Sequence, residues 1–193
     1  MVENDYPKIN SIFKRDEKGH FINEFSETAF KYLVNNEWYG TEKVDGMNIK
    51  IIISPTISGG GYSIEIGGKT DAAHIPSYYQ EYFNTVLLKK LLFEVLQTAF
   101  PNLKPMTKIV LYGEGYGDKI QKAGKRYLPN GGLGFALFDV KIESYNVDDQ
   151  KKDFWWLERH NVEDIGKNWI SMWCLLCIVV LFGMRLNISL RKT

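Results

Sequence analysis

The chain has 193 residues, 45% of them hydrophobic, and a formal net charge of +1. That length supports one domain with a sizeable core, while the near-neutral charge excludes a global electrostatic footprint for a polyanion. Contact with phosphates must therefore come from a local basic cluster.

In chain order, the opening stretch "MVENDYPKINSIFKRDEKGH" mixes acids and bases where a signal peptide would carry an apolar run, which predicts a cytoplasmic protein. "SETAFKYLVNN" starts with a capping serine, Ser26, and predicts a short helix. "EWYGTEKV" and "MNIKIIIS" predict strands on either side of Gly46, followed by a loop at "PTISGGG" and a strand at "YSIEIGG". From Pro76 to Pro101, Tyr79, Tyr82, Phe83, Val86, Leu87, Leu91, Val95 and Leu96 recur at helical spacing, so this long helix is expected to bury that stripe. "KIVLYGEG" and "GFALFDVKI" add two strands, and "NVEDIGK" begins a last helix. No βαβ unit repeats, so the expected class is α+β with a mostly antiparallel sheet. Cys174 and Cys177 form a lone C-x-x-C inside an apolar run and read as two small apolar residues rather than a zinc site or a disulfide.

Three strand-associated segments carry polar residues that a core does not need. In "EKVDG", Lys43 and Asp45 are two positions apart and share a face of an extended chain, so both can reach one ligand. A lysine beside apolar surface and other cations has a lowered pKa, and its neutral amine is a nucleophile. In "LYGEGYG", Glu114 stands between glycines, which allow close backbone approach, and its carboxylate either faces solvent or binds hydroxyl groups or a metal. In "FALFDV", Phe138 precedes Asp139; an exposed aromatic there suits stacking on a nucleobase.

Together, "EKVDG", "LYGEGYG" and "FALFDV" resemble motifs I, III and IIIa of the covalent nucleotidyltransferases, and most closely the phage-type members of the ATP-dependent RNA ligase family. "YPKINSIFKRDEKG", "GGKTDAAHIP", "GYGDKIQKAG" and "WWLERHNVEDI" resemble further stretches of that group, so the likeness covers roughly residues 6 to 166. The resemblance implies a nucleotidyltransferase domain over residues 1–166, using ATP and Mg2+ (or Mn2+). Its partners would be the 5′-phosphate and 3′-hydroxyl ends of RNA, as in RNA repair, with DNA as the alternative; neither a protein partner nor a membrane is expected. Lys43 would be the nucleophile that becomes lysyl-AMP, with Asp45 and Gly46 completing its motif. Glu114 would hold the ribose hydroxyls, Phe138 would stack on adenine, and Glu42 would contact the adenine or phosphate side. Lys69 stands where many members have an arginine, keeping the charge but losing the bidentate geometry. The basic loop of Lys119, Lys122, Lys125 and Arg126 would meet a nucleic-acid backbone. The motifs leave open a DNA ligase or a guanylyl-transferring capping enzyme, as well as a non-catalytic remnant that binds nucleotide or RNA.

The resemblance stops before motifs IV and V, which supply a metal-site carboxylate and lysines for the α-phosphate, so impaired ligation is expected and the metal ligands are unassigned. Residues 167–193 instead hold an apolar run, "WISMWCLLCIVVLFGM", too short for an ordinary membrane span. A lost base near Gly166 to Asn168 is one expected origin of this run, and a tail anchor on a binding protein is the alternative. In the neighbouring frame, Asn168-Trp169, Trp169-Ile170, Met172-Trp173 and Trp173-Cys174 force Leu, Asp, Val and Val, and the restored segment can read as a helix end, a buried strand and an amphipathic helix.

Overall fold

Isoleucines at every second position, Ile49, Ile51 and Ile53, give one strand a wholly apolar, β-branched face, and that face organises the main sheet. In a computed structural model the chain is described except for residues 1–4, 57–60, 71, 92–97, 102–105, 123, 129, 147–150, 170–177 and 182–193. Strands β1 (Phe13–Arg15) and β2 (Phe21–Phe25) precede helix α1 (Ala29–Leu33) and strand β3 (Glu37–Gly40). Next come β4 (Met47–Pro55), β5 (Tyr62–Gly67), α2 (Ser77–Tyr82), a π-helical turn (Phe83–Leu87) and α3 (Leu88–Lys90). Then follow β6 (Thr107–Gly117), α4 (Gly124–Tyr127), β7 (Leu133–Asn146), β8 (Lys151–Trp156), α5 (Arg159–Trp169) and β9 (Ile178–Leu181).

The chain divides into two compact units. One comprises Met1–Tyr6 and Lys43–Cys174; the other comprises Pro7–Glu42 and Leu175–Thr193. In the larger unit five strands run in the order β5-β4-β6-β7-β8, every neighbouring pair antiparallel. This is the expected α+β class with an antiparallel sheet. Its core face joins Ile49, Ile51, Ile53, Ile109, Leu111, Phe135, Val140 and Ile142 to Tyr79, Phe83, Leu87 and Leu91 of the helical segment and to Val162 and Ile165 of α5. Each such aliphatic side chain contributes about 1.5–3 kcal/mol by leaving water.

The helical stripe differs from the expectation in detail. The buried positions step by four, Tyr79, Phe83, Leu87 and Leu91, while Val86 is exposed. An α-helix turns about 100° per residue, so a stripe of fours would drift by about 40° at each step. The wider turn at Phe83–Leu87 unwinds the helix and keeps those side chains on the sheet. Val95 and Leu96 lie outside the described residues.

In the smaller unit, Asp16 closes the β1–β2 turn: its carboxylate accepts the N–H groups of Lys18 at 2.9 Å and His20 at 2.8 Å. Phe13 and Phe25 stack across the pair. The predicted serine cap is not formed. The α1 N-cap position is Thr28, and the Ser26 hydroxyl donates to the Ser11 carbonyl. Strand β3 pairs antiparallel with β9, which belongs to the apolar run at the end of the chain. Cys174, Cys177 and most of that run lie outside the described residues. No helix among the described residues is long and apolar enough to cross a membrane.

Candidate active site

Opposite its core face, the large sheet carries two polar rows. One aligns Asn48, Glu114 and Ala136 across β4, β6 and β7; the next aligns Lys50, Tyr112 and Asp139. The period of two that sends Leu111, Gly113 and Gly115 to the helices sends Tyr112, Glu114 and Tyr116 to this side. The glycines flanking Glu114 therefore serve a purpose other than the one expected from sequence. A Cβ on Gly113 would stand 2.3 Å from the Phe135 ring and one on Gly115 would stand 2.8 Å from the Tyr79 ring. They make room for core aromatics, not for a ligand.

Close approach is required instead at Gly46. A Cβ there would meet the Gly115 carbonyl oxygen at 2.2 Å and Glu114 Cγ at 2.9 Å, so only glycine lets the segment before β4 lie against β6. The Gly46 N–H donates to the Glu114 carboxylate, which also feels the charge of Lys43. Burial holds the Glu114 carboxyl above the usual carboxylate range; the Lys43 cation and the Gly46 N–H oppose that rise, while the Asp45 charge adds to it. Lys43, Asp45, Gly46 and Glu114 are thus one electrostatic neighbourhood.

The expected strand does not extend through Lys43. Residues 41–45 form no ladder, and Lys43 and Asp45 are both exposed. Alternation along a strand is therefore not what places them; the fit of Gly46 is. The charged neighbour of Lys43 that the structure shows is the Glu114 carboxylate. A residue that sequence reasoning missed completes the support. The Tyr127 hydroxyl, on α4, accepts the Asp45 N–H at 3.1 Å, and its ring packs edge-on against Tyr116 at 5.6 Å. Only the placement of Tyr127 at the end of the basic loop could have signalled it.

Phe138 occupies a β-bulge. On β7, Asp139 pairs with Tyr112 and Leu137 pairs with Gly113, which leaves Phe138 with no partner on β6. Its half-buried ring lies 5.1 Å from that of Tyr6, which also contacts Tyr112 at 5.1 Å, so Phe138 shares the polar side with the Lys50–Tyr112–Asp139 row.

Lys69 is exposed two residues beyond Gly67, which pairs with Lys50, so it lies at the end of the sheet where β4 begins. The basic loop leaves β6 at that same end, because Met47 pairs with Gly115. Lys119, Lys122 and Arg126 are exposed, and Lys119 Nζ stands 5.5 Å from the Tyr78 ring centroid. Of Lys125 only the backbone, within α4, is described. Glu42 is exposed and belongs to the smaller unit. Among the described residues no three His, Cys, Asp or Glu side chains gather as a metal site.

A family model described as RNA ligase matches residues 36–171. Among curated proteins, the ribosomal RNA small subunit methyltransferase H 1 of Acholeplasma laidlawii (strain PG-8A) is 24% identical over 128 residues, covering 63% of this chain and 38% of that protein. Among solved structures, a mutant Naegleria gruberi RNA ligase with ATP and Mn aligns with a TM-score of 0.49 and 16% identity, over 93% of this chain and 50% of that one. An apo mutant of Naegleria gruberi RNA ligase aligns with a TM-score of 0.47 and 15% identity, over 81% of this chain and 40% of that one. The chain thus spans half or less of the length of each of these proteins.

Proposed function

The chain belongs to the RNA ligase family, and from that premise we propose that it is an ATP-dependent nucleotidyltransferase acting on RNA ends. The Lys43 amine, having lost its proton, attacks the α-phosphorus of ATP. A P–N bond forms, the bond to pyrophosphate breaks, and lysyl-AMP results. An RNA 5′-phosphate oxygen then attacks that phosphorus, breaking the P–N bond and returning the amine. A 3′-hydroxyl displaces AMP to seal the strand. Phosphoryl transfer of this kind depends chiefly on positioning and charge. Glu114 accepts hydrogen bonds from the ribose hydroxyls, and Phe138 stacks on the adenine. Lys69 is the candidate for the phosphate side. Lys119, Lys122, Lys125 and Arg126 receive the RNA backbone. A bound Mg2+ or Mn2+ supplies neutralisation of the phosphate charge. We read residues 1–166 as the adenylation domain and residues 167–193 as an atypical apolar tail.

The observation that carries this reading is the seating of Gly46 on Gly115, which sets the exposed Lys43 amine in the field of the half-buried Glu114 carboxylate. The test is incubation with labelled ATP or GTP and Mg2+, followed by denaturing electrophoresis. An adduct with ATP that disappears in Lys43→Ala is the expected result. An adduct with GTP alone would point to a capping-type reaction, and no adduct with either would sink the catalytic reading.

A further inference from the structure

Residues Asp5 and Tyr6 belong to the larger unit although Pro7–Glu42 do not, and they lie along the row that neighbours Glu114. Asp5 pairs with Lys50 of β4 at 3.6 Å, where Lys50 is only 2% exposed. Tyr6 donates its hydroxyl to the Asp139 carboxylate of β7. Between these two anchors its ring meets Tyr112 of β6, and it reaches Trp156 at 5.8 Å and Phe138 at 5.1 Å, both nearly edge-on. Tyr112 and Trp156 contact each other at 5.4 Å, so the Tyr6 ring meets a pair of touching rings as well as Phe138.

A bulged residue has no ladder hydrogen bond to fix it, so its direction depends on what it packs against. Phe138 is such a residue, and both it and its neighbour Asp139 are engaged by the same tyrosine. Burial and the bond to Asp139 push the Tyr6 hydroxyl far above its ordinary pKa, so it remains a donor throughout the neutral range. On the reading of Phe138 as the adenine platform, we propose that Tyr6 is a positioning residue for ATP: its ring braces Phe138, and its hydroxyl, through Asp139, holds the bulge from which Phe138 projects.

The test measures single-turnover self-adenylylation of the full chain against ATP concentration, for the wild type, Tyr6→Phe, Tyr6→Ala, Phe138→Ala and the Tyr6→Ala/Phe138→Ala pair, with circular dichroism reporting the fold. Tyr6→Ala is expected to raise the half-saturating ATP concentration by about tenfold while leaving the maximal rate nearly unchanged, the scale of a lost aromatic contact. Tyr6→Phe keeps the ring and should restore most of that loss. In the Phe138→Ala background the same Tyr6→Ala change should have little further effect. Unchanged half-saturation in Tyr6→Phe and Tyr6→Ala, or an equal penalty with and without Phe138, would overturn the proposal. Should Tyr6→Ala not fold, Tyr6→Phe against Asp139→Ala decides it: each removes the hydroxyl–carboxylate bond between Tyr6 and Asp139, and both must raise half-saturation. A wild type that forms no adduct would sink the catalytic reading instead, and equilibrium titration with a fluorescent ATP analogue then reads the Tyr6–Phe138 coupling. Absence of binding by the wild type overturns both.

Discussion

The two sides of the large sheet are built from the same strands and do opposite work. Toward the helices, Ile49, Ile51, Ile109, Leu111 and Phe135 are fully buried and have no polar atom to satisfy. On the other side the same strands carry Lys50, Tyr112, Glu114 and Asp139, whose burial is unfavourable to charge and is offset by partners such as Asp5, Gly46 and Tyr6. Stability and chemistry thus alternate residue by residue along β4 and β6. Substitutions one position apart should therefore separate them.

The largest separation is expected from Tyr79→Ala. It removes a fully buried ring beneath Gly115 and the hydroxyl that donates to the Gly134 carbonyl at 2.9 Å. A loss of about 3–5 kcal/mol in denaturant unfolding is expected. A smaller value would mean that the helical layer adapts around the vacancy. Next is Gly46→Ala, whose new methyl meets backbone rather than a flexible side chain. Because the segment is exposed on its other side, stability should fall by only about 1 kcal/mol, while adduct formation by Lys43 should fall at least about 100-fold, in keeping with the cost of misplacing a reacting group. Equal stability and activity losses would mean that the site and the fold are not separable at that point.

The three polar segments "EKVDG", "LYGEGYG" and "FALFDV" stand out from the apolar alternation around them, so they could be singled out without coordinates, and the structure brings Lys43, Asp45, Gly46 and Glu114 of the first two into one electrostatic neighbourhood. The supports were not legible. Gly113 and Gly115 read as ligand glycines because sequence does not say which face of β6 a side-chain gap serves. Tyr127 is distant in sequence from Asp45 and carries no periodic signal. The fold class followed from alternation in β4, β5, β6 and β7, whereas β1, β2 and β8 escaped notice. "FKR", "FINEF" and "KKDFWW" mix charges and aromatics without clean alternation, and pairing with a neighbour, not intrinsic pattern, makes them strands.

A smaller effect is expected from Tyr127→Phe, which leaves the ring on Tyr116 but removes the acceptor for the Asp45 N–H. One such bond is worth about 0.5–1.5 kcal/mol, so adduct formation should slow by roughly threefold to tenfold with an unchanged far-ultraviolet spectrum. An unchanged rate would show that Gly46 alone positions the nucleophile segment.

The smallest effect on stability, and the one opposite in sign, concerns Glu114. Its folded-state pKa is raised, so the folded chain holds that proton more tightly than the unfolded chain does. The resulting stabilisation is present below the ordinary carboxylate pKa and is lost as pH rises through the raised value. At about pH 7 the ionised group therefore opposes folding. Glu114→Gln should melt no lower than the wild type there, with the difference closing as the pH falls toward about 4. A lower Tm at neutral pH would mean that the pairing with Lys43 and Gly46 outweighs the burial.

The bulge at Phe138 also governs how β7 can change in evolution. On its N-terminal side the odd-numbered residues Phe135 and Leu137 enter the core; beyond it the even-numbered Val140 and Ile142 do so. The extra residue is what reconciles the two parities: without Phe138, Leu137, Asp139 and Val140 would alternate plainly against Gly113 and Tyr112, and Val140 and Ile142 would stay in the core. Codon loss at this position should therefore leave the core register of β7 intact and remove only the aromatic that the bulge presents, whereas loss of a paired neighbour would disturb the ladder itself.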